Sequence, residues 1–109
     1  MVCKVKLLPQ STVISRNVGL TTGGKVTEVS INPTTWTALP STALEDRNAV
    51  GVQNRTGQEI KVNYDPGVSG YVGMVVSNGS ERTYDITDGI ILYAKSIDTI
   101  VTVNVEEIA

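Results

Sequence analysis

The chain has 109 residues and a formal net charge of -2 at pH 7, with 40% hydrophobic residues, no histidine, no phenylalanine and one cysteine. Its length predicts one domain with its own core, and its charge balance argues against nucleic-acid binding, which requires a basic excess on one face. The lack of histidine excludes Ser-His-Asp and Cys-His catalysis, histidine metal sites and a histidine pH switch.

The first residues of the chain indicate extended structure. Residues 1–8 predict a short strand or arm that ends at Pro9. Leu7 and Leu8 are too short an apolar run for a secretory signal, and no run in the chain is long enough to span a membrane. Cys3 has no partner for an intrachain disulfide, so we expect a reducing compartment. Residues 1–24 are interpreted as an extended arm or edge strands, and residues 25–109 as the core of a single all-β domain.

The next segments predict one strand and one irregular connection. Residues 21–24 form a glycine turn, residues 25–31 alternate as a strand, and Asn32-Pro33 stops that strand. Residues 34–39 carry Trp36, the only tryptophan, in an extended segment or edge strand. Residues 41–47 predict a single 3₁₀ turn or loop.

Six short alternating runs then follow one another, each bounded by a turn signal. Their apolar residues recur with a period of two, as residues 60–64 and 101–105 show, so each strand has one dry face and one wet face. Two such sheets stacked on their dry faces predict an antiparallel β-sandwich or a jelly-roll-like barrel of about seven to nine short strands. The runs are residues 49–53, 59–64, 71–77, 82–86, 90–95 and 100–107.

The turn signals predict three hairpins. Asn78 and Gly79 are expected to form a type I′ turn in which both residues have positive φ. Residues 54–57 predict a four-residue hairpin loop, and residues 96–99 predict a third connection of this kind.

The sequence offers no complete catalytic or metal-binding motif. Residues 19–25 have the spacing of a phosphate-binding loop, but Val26 replaces the required Ser or Thr and a strand follows instead of a helix. Glu106 and Glu107 point to opposite faces of a strand, and residues 85–89 lack the ligand series of a calcium loop. We therefore predict a protein that is not an enzyme and that has no cofactor or metal.

The aromatic residues allow two interpretations. Trp36 and the four tyrosines form either a platform for a carbohydrate or partner, or part of the packing, and packing is favoured. The tyrosines are Tyr64, Tyr71, Tyr84 and Tyr93.

The arrangement of residues 39–107 is similar to that of a known group of proteins. Its elements are Leu39-Pro40, Leu44, Arg47, Val52-Gln53-Asn54, Gly57, Ile60-Lys61-Val62, a hairpin at Gly79, Ile91-Leu92-Tyr93-Ala94 and the run from Val101 to Glu106. This segment resembles small structural proteins of tailed bacteriophage virions, and most closely the capsid decoration (cement) proteins of short-tailed phages, which are small all-β domains. Residues 1–35 carry no such resemblance. The resemblance implies binding through a surface, and it assigns no functional residue.

The leading hypothesis is a non-enzymatic virion protein that binds the outer capsid surface and stabilises the shell by bridging coat subunits. Its expected partner is the major capsid protein lattice, with self-association as a dimer or trimer and no nucleic-acid or membrane partner. We expect it on the capsid exterior, and in the host cytoplasm during assembly. The alternatives are a tail, baseplate or head-fibre-base component and a carbohydrate-binding module. The predicted interface residues are Val2, Val5, Leu7, Trp36, Arg47 and Arg55.

Overall fold

A computed structural model describes residues 23–109, which form eight β-strands and no helix. The prediction of an all-β domain is thereby confirmed for this part of the chain, whereas the predicted arm lies outside it. Residues 41–47 form bends and one turn, which agrees with the loop alternative of the prediction. The strands are β1 (Gly24–Ile31), β2 (Thr37–Ala38), β3 (Ala49–Gln53), β4 (Ile60–Asn63), β5 (Met74–Val76), β6 (Glu81–Tyr84), β7 (Tyr93–Ser96) and β8 (Val101–Ile108).

The strands form two antiparallel sheets of four. Sheet 1 has the order β1-β8-β3-β6, and sheet 2 has the order β2-β7-β4-β5. The pairing is nested, because β4 pairs with β5, β3 with β6, β2 with β7 and β1 with β8. A long two-stranded ribbon folded over itself in this way is a jelly roll, so the two sheets form the predicted β-sandwich with jelly-roll connectivity.

The three connections predicted as hairpins all cross from one sheet to the other. The turns after β3, β5 and β7 each lead to a strand of the opposite sheet, and among the eight described strands only β4 and β5 are both consecutive and paired. Gly79 has the expected positive φ of 86°, but Asn78 does not. The N–H of Ser80 donates to the carbonyl of Ser77 at 3.1 Å, so this is a type II turn rather than type I′.

The core lies between the sheets and consists of the inward-facing residues of the alternating strands. Ile60 and Val62 of β4 are buried, as are Val103 and Val105 of β8, which confirms the predicted dry faces. Burying each such side chain stabilises the fold by roughly 1.5–3 kcal/mol relative to exposure. The core comprises Val29, Ile31, Leu39, Val50, Val52, Ile60, Val62, Val76, Leu92, Ala94, Val103 and Val105.

Asn54 fixes the turns at one end of the sandwich. Its buried amide nitrogen donates to the carbonyls of Gln58 and Val76, both at 2.8 Å. Its side-chain oxygen accepts from the backbone N–H of Thr56 at 3.2 Å. Its own backbone N–H donates to Ser80, and its carbonyl accepts from Gly79. The turn after β3 and the turn after β5 are therefore held together by one neutral side chain.

Candidate functional site

The predicted interface residues occupy different environments. Val2, Val5 and Leu7 lie outside the described residues. Arg55 is exposed on the turn that follows β3, where a partner can reach it. Trp36 and Arg47 are buried, so their positions do not support the interface assignment.

Arg47 is the centre of a buried polar cluster at the end of the sandwich opposite Asn54. Its guanidinium is 2.8 Å from Glu107, and both side chains are fully buried. The guanidinium also donates to the carbonyls of Thr87 and Ile90, at 3.2 and 2.6 Å. Glu107 accepts a further bond from the N–H of Leu44 at 2.7 Å. Arg47 therefore makes its hydrogen bonds inside the fold, where it connects the segment before β3 and the loop between β6 and β7 to β8.

Trp36 has a similar internal role on sheet 2. Its indole N–H donates to the carbonyl of Val68 at 2.7 Å, in the loop between β4 and β5. Lys95 lies 5.1 Å from the Trp36 ring and 5.4 Å from the Tyr71 ring, and donates to the carbonyl of Gly70 at 2.8 Å. These cation–π contacts and hydrogen bonds hold the long loop against the sheet.

A cavity that opens from the core lies between β5 and β6, whose outer edges pair with no strand among residues 23–109. β5 is the last strand of sheet 2, and β6 is the last strand of sheet 1. Between them is a cavity of about 340 Å³, which we call the β5–β6 slot, and its lining is mainly apolar. The slot is lined by Val62, Asn63, Tyr64, Val72, Gly73, Met74, Arg82, Tyr84 and Leu92.

The apolar residues at the mouth of this slot are unusually exposed. Tyr64, Val72 and Met74 have 54%, 66% and 55% of their surfaces accessible. Gly73 between them allows close packing, because a Cβ at this position would lie 2.5 Å from the Val62 carbonyl oxygen. An exposed apolar surface around a concave cavity is typical of a binding site.

Two polar side chains of β6 face this slot. The Tyr84 ring packs edge-to-face on Tyr64 at 6.2 Å, and the Arg82 guanidinium lies 5.6 Å from the Tyr84 ring. The Tyr84 hydroxyl is buried and has no well-formed hydrogen bond among residues 23–109. Burial raises the pKa of Tyr84, against the opposing effects of the Arg82 charge and of a hydrogen bond from the Arg82 side chain. Arg82 therefore lies close to the Tyr84 hydroxyl, and its charge is not neutralised by an ion pair with any described residue.

A second, more polar cavity lies on the outer face of sheet 1. It has a volume of about 250 Å³, and Gly51 leaves it open in the middle of the sheet. Glu81 and Glu106 line it together with Gln53 and Asn104. Asn104 donates to Gln53 at 3.3 Å, so these two amides already satisfy each other in part.

Tyr64 and Tyr84 are identified as aromatic candidates from the sequence, but the sequence does not predict that they lie beside Val72, Met74 and Arg82. One feature of the pattern indicates part of this site. Met74 and Arg82 stand in strands at positions that alternation places on the inner faces, opposite Val62 and Val52. The meeting of the two strands depends on the nested topology, which the local pattern does not specify.

Two structural features bear on other classes of function. Within the described range, no three His, Cys, Asp or Glu side chains lie close enough to hold a metal ion. Residues 23–109 also contain no helix with the length and hydrophobicity that a membrane span requires.

Comparison with known proteins gives no relative. The chain matches no protein-family model, and it has no significant match among curated protein sequences or solved structures. The inference of function therefore depends on the sequence resemblance of residues 39–107 and on the surface chemistry of residues 23–109.

Proposed function

We propose that this chain is a non-enzymatic structural protein of a tailed-bacteriophage virion that binds the capsid exterior and bridges coat subunits. The choice of virion and capsid depends on the sequence resemblance of residues 39–107. The function as a bridge is supported by the distribution of exposed apolar residues over the sandwich. Proteins that bind through a surface need such residues where a partner can reach them.

The observation that carries this proposal is the presence of apolar surface on opposite edges of sheet 1. The β5–β6 slot lies beside β6 at one edge, and Val26 is exposed on β1 at the other. β1 also has no neighbouring strand on its outer side within the described residues. A bridging protein requires two separate contacts, and exposed apolar residues near both edges of sheet 1 are compatible with that requirement.

Binding of this kind stabilises a shell by mass action. A ligand that binds the assembled lattice better than free subunits lowers the free energy of the assembled state, and many copies add their effects. A standard interface buries about 800 Å² on each partner, which a domain of this size can provide. Pressure from packaged DNA separates subunits at their boundaries, which is where a bridge acts.

The test is binding of the purified protein to expanded capsids and to free coat monomers, measured by co-sedimentation. We expect binding to capsids only, at high copy number, and release of DNA at a lower temperature from particles that lack the protein. A variant without residues 1–8 should bind less while its circular dichroism spectrum stays unchanged, since Val2, Val5 and Leu7 are predicted interface residues.

Two outcomes would favour the alternatives. A low copy number confined to one vertex would indicate a tail, baseplate or head-fibre-base component. Binding to an oligosaccharide array without binding to capsids would indicate a carbohydrate-binding module. The position of Trp36 weighs against this module, because the buried indole cannot serve as an exposed platform.

A further inference from the structure

The β5–β6 slot has backbone edges on two sides. β5 and β6 each have one neighbouring strand, and within residues 23–109 no strand pairs with their outer edges. The N–H and C=O groups of such edges readily pair with an added extended chain. The slot therefore lies beside two strand edges to which an extended segment can add.

The positive charge in the slot has no acidic partner among the described residues. The Arg82 guanidinium makes no ion pair with any described residue, and the buried Tyr84 hydroxyl has no well-formed hydrogen bond in the same part of the chain. Both groups are donors, and a carboxylate accepts strongly from an arginine. An acidic ligand therefore complements this side of the slot.

The remaining walls require an apolar group. Val62, Val72, Met74 and Leu92 surround most of the cavity. Its volume of about 340 Å³ is at the small end of ligand sites and accommodates a side chain rather than a large molecule. These walls provide few polar groups for the many hydroxyls of a sugar.

We propose that the β5–β6 slot binds an extended peptide segment of a partner protein in which apolar and acidic residues alternate. The segment pairs with a free strand edge, places an apolar side chain between Met74 and Tyr84, and directs a carboxylate to Arg82. This inference rests on the proposed function only for the identity of the partner, which would be the coat protein. Peptide binding itself is measurable on the isolated chain.

The experiment is a titration of the ¹⁵N-labelled full chain, followed by amide chemical shifts. The probe is a capped hexapeptide of alternating aspartate and leucine, added to about 5 mM, with its lysine–leucine counterpart as the charge control. We expect saturable shifts in β5 and β6 with the aspartate peptide, and none with the lysine peptide. Equal binding of both peptides, or no binding of the aspartate peptide, would overturn the proposal.

Single substitutions test whether the peptide binds in the β5–β6 slot. Arg82→Gln should weaken binding about ten-fold, because it removes the charge that faces the carboxylate. Lys25→Gln is the control, since Lys25 is an exposed cation on β1, at the opposite edge of sheet 1 from β6, and it should change affinity by less than about two-fold. Tyr84→Phe should weaken binding without unfolding the chain. Equal effects of Arg82→Gln and Lys25→Gln would show nonspecific attraction and overturn the assignment.

A sugar control and the capsid assay separate the remaining outcomes. If cellohexaose shifts the amide signals of the slot and the aspartate peptide does not, the ligand of the slot is a saccharide and the peptide proposal is overturned. If the aspartate peptide binds as expected and capsid co-sedimentation fails, the slot assignment holds and the capsid proposal is the one overturned.

Discussion

The two ends of β3 carry buried polar clusters of opposite character. At one end, Asn54 is neutral, and both atoms of its amide are satisfied by neighbouring turns. At the other end, Arg47 and Glu107 form a charged pair, and one Glu107 oxygen has no partner among residues 23–109. In the first cluster the side-chain amide has all its hydrogen-bond partners. In the second, the cost of burying each charge is offset only while its partner is present.

The clusters also differ in what they connect. The side chain of Asn54 contacts Thr56 and Gln58 within a few residues, and reaches only Val76 across a longer separation. Arg47 joins residues 40, 43 and 60 positions away along the chain. The neutral cluster therefore shapes local turns, while the charged cluster holds together distant segments of the fold. Loss of the second should be more damaging.

The largest expected effect is that of Arg47→Met. This variant leaves Glu107 buried and unpaired, and removal of one partner of a buried ion pair typically costs about 3–5 kcal/mol. Urea unfolding followed by circular dichroism measures the change. Arg55→Met is the matched control, since Arg55 is exposed and should have almost no effect.

A double variant separates charge from shape. Arg47→Met combined with Glu107→Leu removes both charges, and such replacements are often neutral in other proteins. We expect the double variant to recover much of the stability that the single variant loses. A single variant as stable as the unmodified chain would show that the ion pair does not hold this end of the sandwich.

Asn54→Ala should have an intermediate effect. It removes the hydrogen bonds to the Gln58 and Val76 carbonyls, at a cost of about 2 kcal/mol. The Gln58 carbonyl keeps a bond from the Thr56 hydroxyl at 3.0 Å. Asn104→Ala is the control, because Asn104 is exposed and makes one long side-chain bond to Gln53. Equal unfolding midpoints for the two variants would contradict the importance of the Asn54 cluster.

The difference between the clusters also shows what the sequence can predict. Alternation places Glu107 on the same face as Val101, Val103 and Val105, so its inward direction was available from the pattern. Its partner was not available, because Arg47 lies 60 residues away in an irregular segment. Arg47 was accordingly predicted as an interface residue, although the fold buries it.

The same limit applies to the connections and to the slot. Gly, Asn and Asp correctly marked the places where strands end, because these residues favour turn geometries. Turn chemistry does not specify which sheet the next strand joins, so three crossings between sheets were predicted as hairpins. The β5–β6 slot exists only because of those crossings, and Arg82 and Met74 could not be assigned to one site from local patterns.

The smallest expected effect is that of Gly79→Val, at the turn that the Asn54 cluster supports. Gly79 has a φ of 86°, and beyond its chain neighbours no atom lies within 4 Å of the point that a Cβ would occupy, so any cost is conformational rather than steric crowding. A β-branched residue in this region costs about 1 kcal/mol or more, while asparagine tolerates it better. Thermal unfolding should therefore rank the unmodified chain first, Gly79→Asn next and Gly79→Val last. The N–H of residue 79 donates to the Asn54 carbonyl, so the valine variant should also weaken protection of this amide against hydrogen exchange. If valine and glycine give the same melting temperature, the positive φ at this turn is not required, and the neutral end of the sandwich tolerates more change than its hydrogen bonds indicate.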